Sequence, residues 1–341
     1  MIKYFVRSVK FILPLALAYV LFLGVLAMPA LDKFPHVRYY FLDRKIVKLV
    51  TAPSEVLEAD FNDGFNILRF RELEKTGPVD LLFLGSSHAY LSFDPRVFRR
   101  YGLSSFNLGN GSQTPLNSYY LFETYRPRLK PKLVELDVYP IVLESRDGLE
   151  SFCELVVSTP MTWGLTRMAL ATGSVHALNA YTFEWARRLW FPLARRSQMD
   201  LSPQRYVSAG FVLDDQVYDG KTAFKNRKLK LAKKQLRYLK KILATVRRSG
   251  SKIVLVTSPY PEGFRKSFTN YDEVSESFKT IAEKNGVSYY DFNYRMDTQN
   301  NALFSDKSHL NGRGAEKFCH LLMRVLGSDP RYSELTRGQA A

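Results

Sequence analysis

A serine that ends an apolar segment and a histidine far downstream are the residues of this sequence best suited to nucleophilic chemistry. Ser87 follows the run Leu81-Leu82-Phe83-Leu84-Gly85-Ser86. A serine hydroxyl is a weak nucleophile at neutral pH and needs a base within hydrogen-bond reach, itself oriented by a third group. Asp306 lies three residues before His309, so its carboxylate can fold back onto the imidazole. The three side chains therefore predict a Ser-His-Asp relay, provided that the fold brings the two segments together.

Strands that alternate with helical segments after Gly77-Pro78 predict a parallel sheet covered by helices. We place strands at 79–84, 104–108, 132–139, 252–257 and 288–292, and helices at 95–101, 114–129, 271–285 and 311–326. The residues after a parallel strand emerge at the carboxyl edge of the sheet, where ligands bind, so Ser87 is expected there. Gly85 permits a tight turn. The alternative is that Ser86-Ser87 is an ordinary helix cap.

The chain from about Val79 to Leu326 resembles the SGNH or GDSL superfamily of esterases and acyltransferases. Gly85-Ser86-Ser87 matches the Gly-Asp-Ser of that family's first block, and the segment from Phe106 to Thr114 matches its second block, an Asn-x-Gly. Asp306 and His309 match the Asp-x-x-His of its last block. The resemblance implies a flavodoxin-like, three-layer α/β fold with Ser87 as the nucleophile, His309 as the base and Asp306 as its orienting residue.

Two departures from the family pattern matter, and the second affects the predicted oxyanion hole. Ser86 replaces the aspartate of the first block, and the third block's Gly-x-Asn-Asp is replaced by residues 136–140, Leu-Asp-Val-Tyr-Pro. The asparagine that normally donates to the oxyanion is thereby lost, and one such donor is worth roughly 3 kcal/mol. The oxyanion hole is then expected to consist of the Ser87 backbone N–H and donors in Gly111, Ser112 and Gln113.

With serine at position 86, the chain resembles the membrane-tethered branches of the superfamily, which include the teichoic-acid D-alanylation and alginate O-acetylation proteins. That resemblance implies an ester substrate, such as an acetylated envelope or secreted polysaccharide, and a multi-spanning membrane O-acyltransferase as partner. The alternative is a non-catalytic subunit of the same fold that binds glycan or scaffolds such an acyltransferase. Hydrolysis of lipids is a third possibility, but no specific motif indicates it.

The first thirty residues differ from the rest of the chain. Lys3, Arg7 and Lys10 precede an uncharged stretch at 11–30, and about twenty residues suffice for a helix to cross a bilayer. We therefore expect a single transmembrane anchor within residues 1–31, with the N-terminus cytoplasmic and the remainder periplasmic or otherwise extracytoplasmic. A cleaved signal peptide ending near Val25-Leu26-Ala27 is the alternative. Beyond the anchor we assign a connector at 32–78, a domain at 79–330 and a tail at 331–341.

The composition is that of a folded protein with a large excess of positive charge. Of the 341 residues, 46% are hydrophobic and 24% are charged, which excludes disorder and a multi-spanning membrane protein. The net charge is +16, but no nucleic-acid-binding module accompanies it, so no nucleic-acid partner is predicted. The densest basic segment, 221–248, predicts an amphipathic helix whose cationic face is solvated or meets anionic lipid or polymer.

Residues 143–220 interrupt the alternation of strands and helices. This segment contains all three tryptophans, Trp163, Trp185 and Trp190. An insertion after the carboxyl end of a parallel strand lies near the ligand crevice. We therefore predict a helical insertion that either caps the substrate site or completes the core.

The cysteines and remaining histidines indicate neither a disulfide framework nor a metal. Cys153 and Cys319 could pair, but burial as small hydrophobes is favoured. His36 and His176 have no ligand-like companions. His88 is expected to point away from the hydroxyl of its neighbour and to be structural or to face the substrate. No metal or cofactor is predicted.

Overall fold

The computed structural model describes residues 2–28, 63–190, 200–201 and 204–337. The predicted connector between residues 32 and 62, with His36, lies outside the described residues, as do residues 338–341 of the predicted tail. The domain boundaries assigned from the sequence therefore stay predictions.

The described residues contain strands in two sheets. The strands are β1 (Leu81–Leu84), β2 (Ser105–Asn107), β3 (Leu133–Asp137), β4 (Asp200–Leu201), β5 (Gln204–Ser208), β6 (Phe211–Asp214), β7 (Lys252–Thr257) and β8 (Ser288–Asp291). Five of them form a parallel sheet in the order β2-β1-β3-β7-β8. Leu82 of β1 lies opposite Phe106 of β2 and Val134 of β3. The predicted α/β fold with a parallel sheet is confirmed, and its strand order is the flavodoxin-like one.

Helices connect and cover these strands. They are α1 (Ile2–Leu26), α2 (Asp63–Leu73), α3 (Ser87–Ser92), α4 (Pro95–Arg100), α5 (Pro115–Leu129), α6 (Leu149–Ser158), α7 (Trp163–Thr172), α8 (Val175–Trp190), α9 (Lys233–Arg248), α10 (Glu262–Lys266), α11 (Tyr271–Lys284), α12 (Gly312–Ser328) and α13 (Ser333–Arg337). Short 3₁₀ helices lie at Val142–Glu144, Phe292–Tyr294 and Asn301–Leu303.

Different helices cover the two faces of the central sheet. Leu82 and Leu84 of β1 pack into a buried cluster with residues of α5, α9 and α11. Leu81 and Phe83 pack into a second cluster with residues of α4 and α12. Because successive side chains of a strand point to opposite faces, this alternation buries both sides of the sheet. The architecture is therefore three layers, α/β/α.

Helix α1 includes most of the predicted membrane span at 11–30. Its C-terminal end packs on the domain, where Leu23 and Ala27 are buried and Tyr19 Oη donates to Asn179 Oδ1 of α8 at 3.0 Å. Over the described ranges, no helix is both long enough and apolar enough to cross a membrane, so the structure does not support the predicted transmembrane helix.

Helix α2 falls in the segment that was assigned to the connector, but it packs against the domain. Phe65, Phe70 and Leu73 are buried, and so is Arg69. Phe65 packs with residues of α3 and of β5 and β6. This helix therefore contributes to the core.

The insertion at 143–220 contains helices α6 to α8, as predicted, but also the antiparallel sheet β4-β5-β6. The turn between β5 and β6 has positive φ angles at Ala209 and Gly210, 47° and 83°. The Asn107 N–H of β2 donates to the Ala209 carbonyl at 2.8 Å, and a Cβ on Gly210 would overlap the Asn107 carbonyl. The purely helical interpretation was wrong for β4 to β6, because contact with β2 stabilises this hairpin.

Helix α9 begins later than the predicted basic helix at 221–248. Upstream of α9, the Arg227 N–H donates to the Ser267 carbonyl at 2.8 Å, and the Lys230 N–H donates to Glu144 Oε1 at 2.8 Å. These N–H groups have tertiary partners, so the segment stays extended and the prediction was wrong there. Within α9, most apolar side chains are buried, and Lys233, Lys240 and Lys241 are exposed, as predicted.

Both cysteines are buried, and they are not joined in a disulfide. Cys319 Sγ accepts the Asp94 N–H at 3.3 Å and lies 3.1 Å from the Ser92 carbonyl oxygen. Burial raises the pKa of this thiol well above its ordinary value. The interpretation of both residues as small buried hydrophobes is confirmed.

Candidate active site

The turn after β1 places Ser87 at the start of helix α3. Gly85 has a φ of +152°, and a Cβ there would lie 2.8 Å from the Asp137 Cβ, so the turn requires glycine. Ser86 Oγ accepts the His88 N–H at 3.3 Å and caps the helix. The helix-cap alternative therefore describes Ser86. The half-buried hydroxyl of Ser87 points to a different partner.

The loop before α12 carries Asp306 and His309 on one turn. Asp306 Oδ1 accepts the backbone N–H of Ser308 at 2.7 Å and that of His309 at 2.9 Å. Asn311 Oδ1 accepts the Gly314 N–H at 3.0 Å and so caps α12. The two bonds to Asp306 Oδ1 hold that oxygen in place, and Asp306 Oδ2 faces the imidazole of His309.

The three predicted residues meet at the carboxyl edge of the sheet. Ser87 Oγ lies 2.8 Å from His309 Nε2, and His309 Nδ1 lies 2.8 Å from Asp306 Oδ2. Both distances are those of hydrogen bonds along which a proton can move. The His309 side chain is 21% exposed, so the relay is accessible from solvent.

Asp306 is held in its ionised form. Burial opposes the charge, but hydrogen bonds from His309 and from backbone N–H groups, together with the charge on His309, hold the pKa of this carboxyl well below its ordinary value. An ionised Asp306 accepts the Nδ1–H of His309, which leaves Nε2 free to accept a proton from Ser87. The electrostatics therefore favour the tautomer that nucleophilic catalysis needs.

His88 packs beside the relay without joining it. Its ring centroid lies 4.7 Å from that of His309 and 3.6 Å from that of Tyr139. Burial, and then the positive charge of His309, lower the pKa of His88 well below its ordinary value. The His88 ring is therefore neutral, and it packs against the His309 ring.

The loop after β2 lies against the serine turn. The Asn110 N–H donates to the Gly85 carbonyl at 3.2 Å. A Cβ on Gly109 would lie 3.0 Å from the Ser86 carbonyl oxygen. The loop therefore places backbone N–H groups beside the turn that carries Ser87, where an oxyanion would need donors.

Gly111 and Ser112 lie on the partly exposed part of this loop, whereas Gln113 is buried. The Gln113 N–H donates to the Asn110 carbonyl at 3.1 Å, and its side-chain amide donates to Ser118 Oγ at 2.9 Å. The prediction that Gln113 lines the oxyanion hole is therefore not supported, since these donors bond inside the protein. Gly111 and Ser112 remain as predicted donors.

Helix α6 of the insertion contacts the same loop. Asn110 Nδ2 donates to Ser151 Oγ at 2.8 Å. The Glu154 carboxylate occupies the space that a Cβ on Gly111 would need. Phe152 of the same helix is buried in the main core. This helix therefore both borders the site and completes the core, which combines the two alternatives considered for the insertion.

A buried polar network that the sequence did not indicate braces this loop from helix α2. Asn66 Nδ2 donates to Asn110 Oδ1 at 2.5 Å, and Arg69 bonds to Asn66 Oδ1. The Arg69 guanidinium also donates to the Gly210 carbonyl at 3.1 and 3.2 Å. Buried charges persist only where they are hydrogen-bonded. Because any exposed arginine has the same sequence signature, only the fold reveals this brace.

Asp137, in the place of the family's third block, has a structural role. Its Oδ1 accepts the Ser258 N–H at 3.0 Å. Burial raises the pKa of this carboxyl to about 7, although that bond opposes the shift. The position provides no side-chain amide that could donate to an oxyanion near Ser87.

Comparisons with known proteins find similarity at the level of structure. No family model matches the chain, and no curated protein matches it. A GDSL-like lipase from Bacteroides thetaiotaomicron, 11% identical, aligns over 77% of this chain and 97% of its own with a TM-score of 0.41. A catalytic mutant of an acetylxylan esterase from Geobacillus stearothermophilus, 14% identical, aligns over 75% of this chain and 97% of its own with a TM-score of 0.39. At this level of similarity, the geometry of the relay is the stronger evidence on function.

Proposed function

We propose that this chain is a serine esterase or O-acyltransferase of the SGNH type that forms an acyl intermediate on Ser87. The observation that carries the proposal is the pair of 2.8 Å contacts that joins Ser87, His309 and Asp306. A serine with a base and an orienting carboxylate in this order has the geometry of nucleophilic acyl transfer.

The reaction follows from the positions of the three groups. Ser87 Oγ attacks the ester carbonyl carbon as His309 Nε2 takes its proton, and the carbonyl oxygen becomes an oxyanion. The C–O bond to the alcohol breaks, and His309 returns the proton to the departing alkoxide. Water or a second hydroxyl then attacks the acyl-Ser87 carbonyl, His309 removes the proton from that nucleophile, and the proton goes back to Ser87 Oγ. Asp306 stays ionised and stabilises the imidazolium in both halves.

The substrate and its location are further parts of the proposal. The resemblance to tethered branches favours acetyl or similar esters on envelope or secreted polysaccharide, with a multi-spanning O-acyltransferase as a partner. Lys3, Arg7 and Lys10 before an apolar stretch favour an N-terminal membrane anchor and export of the domain. Digestion of spheroplasts and of lysed cells with an added protease tests this placement, because an exported domain is cleaved in both, whereas a cytoplasmic domain is cleaved only after lysis.

A second candidate is a non-catalytic subunit that binds glycan or scaffolds an acyltransferase. It is favoured by one specific observation, namely that residues 136–140 lack the asparagine of the third block and that Asp137 within them accepts the Ser258 N–H. A fluorophosphonate probe distinguishes the candidates, because it labels a serine only when the relay activates the hydroxyl. No labelling of the folded chain would favour the subunit.

Replacement of the nucleophile is the decisive experiment. Ser87→Ala removes the attacking hydroxyl, and we expect hydrolysis of p-nitrophenyl acetate to fall by about a thousandfold or more. Ser328→Ala is the matched control, because its hydroxyl is exposed and, among the residues that the structure describes, bonds only to the Val325 carbonyl of its own helix. The O-acetyl content of envelope glycans is measured in cells that carry each variant. Equal activity of the two variants in both assays would refute the proposal.

A further inference from the structure

Helix α8 exposes an apolar stripe on its outer side. Val175, Leu178, Trp185 and Leu189 follow the helical repeat and share one face, and all four are exposed, Val175 by 67% and Leu189 by 58%. On the adjacent helix α7, Trp163 is 71% exposed. Contiguous apolar side chains on a surface indicate a contact with another apolar phase.

The inner side of α8 carries charge. Glu184 is buried against the domain, where it pairs with Arg187 at 2.8 Å and with Arg188 at 2.7 Å. A surface helix in water places its apolar residues inward and its charges outward. Helix α8 buries Phe183, Ala180 and Ala186 in this way, but it also buries Glu184 and Arg187 and leaves the apolar stripe exposed on its outer side. Such an outer side is expected where the helix contacts an apolar phase.

The stripe continues onto helix α1. The Trp190 ring lies against Gly24, so closely that a Cβ on that glycine would overlap it. Beyond this contact, Leu13, Leu17 and Leu21 of α1 are exposed. We call the exposed apolar side chains of α1, α7 and α8 the apolar face.

Cations border the apolar face. Arg167 is exposed on α7, between Trp163 and Leu170 along the same side of the helix. Lys234 Nζ donates to the Thr172 carbonyl at 2.7 Å, which joins the start of α9 to the end of α7. From there α9 presents further exposed cations, namely Lys233, Arg237, Lys240 and Lys241.

We propose that the apolar face docks into the surface of an anionic lipid bilayer, with the tryptophan rings among the upper acyl chains and the bordering cations at the headgroup phosphates. Interfacial helices combine these features, since apolar side chains enter the acyl boundary and lysine or arginine meets anionic headgroups. A second copy of the chain fits less well, because a twofold contact would oppose the cationic borders of two molecules that each carry +16. This surface does not depend on the proposed chemistry at Ser87.

The tryptophans allow a direct test with the full chain. The chain has three tryptophans, and all of them lie on α7 and α8, so tryptophan fluorescence reports on these helices whether or not α1 enters the bilayer. Phosphatidylglycerol vesicles with brominated acyl chains are expected to quench this emission, and unbrominated vesicles to shift it to the blue. A chain that sediments with the vesicles but shows neither effect would overturn the proposal.

Variants of the face provide the second measurement. The double variant Trp185→Glu and Leu189→Glu is expected to lower partitioning onto phosphatidylglycerol vesicles by about tenfold or more. Val217→Glu is the matched control, because Val217 is 61% exposed and lies outside the apolar face. Circular dichroism and hydrolysis of a soluble ester establish that each variant is folded.

Two results would contradict docking on lipid. One is equal partitioning of the double variant and the control. The other is a doubled mass in lipid-free solution together with tryptophans already shielded from acrylamide, which would assign the face to a second copy. Loss of ester hydrolysis in Ser87→Ala with normal vesicle binding would leave the two proposals separate, as expected.

Discussion

The imidazole rings of His88 and His309 lie with their centroids 4.7 Å apart, yet only His309 reaches Ser87. His88 is buried, and within the described residues its Nε2 has no hydrogen-bond partner. His309 is partly exposed and bonds to Asp306. The two imidazoles therefore differ in role because their surroundings differ. His88 is a neutral packing residue, and His309 is placed to act as the base.

Paired substitutions of the two rings test this division. His309→Phe should abolish base catalysis, a loss of about a hundredfold to ten-thousandfold in kcat. His88→Phe keeps the ring volume and should retain activity within a few-fold, with the acid limb of the pH–rate profile unchanged, because the lowered pKa keeps His88 neutral. The measurement is kcat/KM for p-nitrophenyl acetate against pH. A shifted acid limb in His88→Phe would show that this ring also titrates during catalysis.

Asp306→Asn should inactivate the site while preserving the loop. The amide oxygen can still accept the N–H groups of Ser308 and His309, but the amide nitrogen would face His309 Nδ1 and place the ring proton on Nε2. That tautomer cannot accept the proton of Ser87, so kcat should fall by about a thousandfold or more. Asp297→Asn is the control, because Asp297 also accepts an N–H two residues on, in an exposed turn. Comparable kcat values would contradict the assigned role of Asp306.

Gly85→Ala should destabilise the fold around the nucleophile. The new methyl group would lie 2.8 Å from the Asp137 Cβ, at a φ of +152° that suits glycine. We expect a loss of about 3 kcal/mol in the free energy of unfolding, measured by urea denaturation, and a large fall in esterase activity. Gly77→Ala is the neutral control, since nothing lies within 4 Å of its added Cβ. A Gly85→Ala variant as stable as this control would show that the turn adapts easily.

The sequence was sufficient to predict the parallel sheet and the edge at which Ser87 lies, and the family resemblance supplied the expected meeting with His309 and Asp306. Continuous apolar runs, such as the one that ends at Leu84, identify strands buried on both faces. The rule that parallel strands present ligands at their carboxyl ends places Ser87 at that edge, and the resemblance of Asp306 and His309 to the last block of the SGNH superfamily implied that they join it there. Both signals are local, so they could be read without knowledge of tertiary contacts.

The features that were missed depend on contacts between distant segments. The β5–β6 hairpin lies against Asn107 of β2. Arg69 can be buried because the Gly210 carbonyl and Asn66 Oδ1 accept hydrogen bonds from its guanidinium. Gln113 was predicted to be an oxyanion donor, but its side-chain amide donates to Ser118 Oγ. Which polar groups remain available in a site is decided by the whole fold, and no local pattern encodes it.

Glu135 in the middle of β3 should make the protein less stable as the pH rises. The carboxyl is buried, neither of its oxygens has a partner within the described residues, and burial raises its pKa to about 8. Between its ordinary value of 4.5 and about 8, the folded chain holds a proton that the unfolded chain has released, so the free energy of unfolding falls with pH. Glu135→Gln cannot ionise and should flatten this dependence, gaining a few kcal/mol over the natural chain above pH 8 and little near pH 4.5. Urea denaturation across this range checks it, with exposed Glu273→Gln as the control. Parallel curves for Glu135→Gln and the natural chain would mean that Glu135 ionises normally in the folded state.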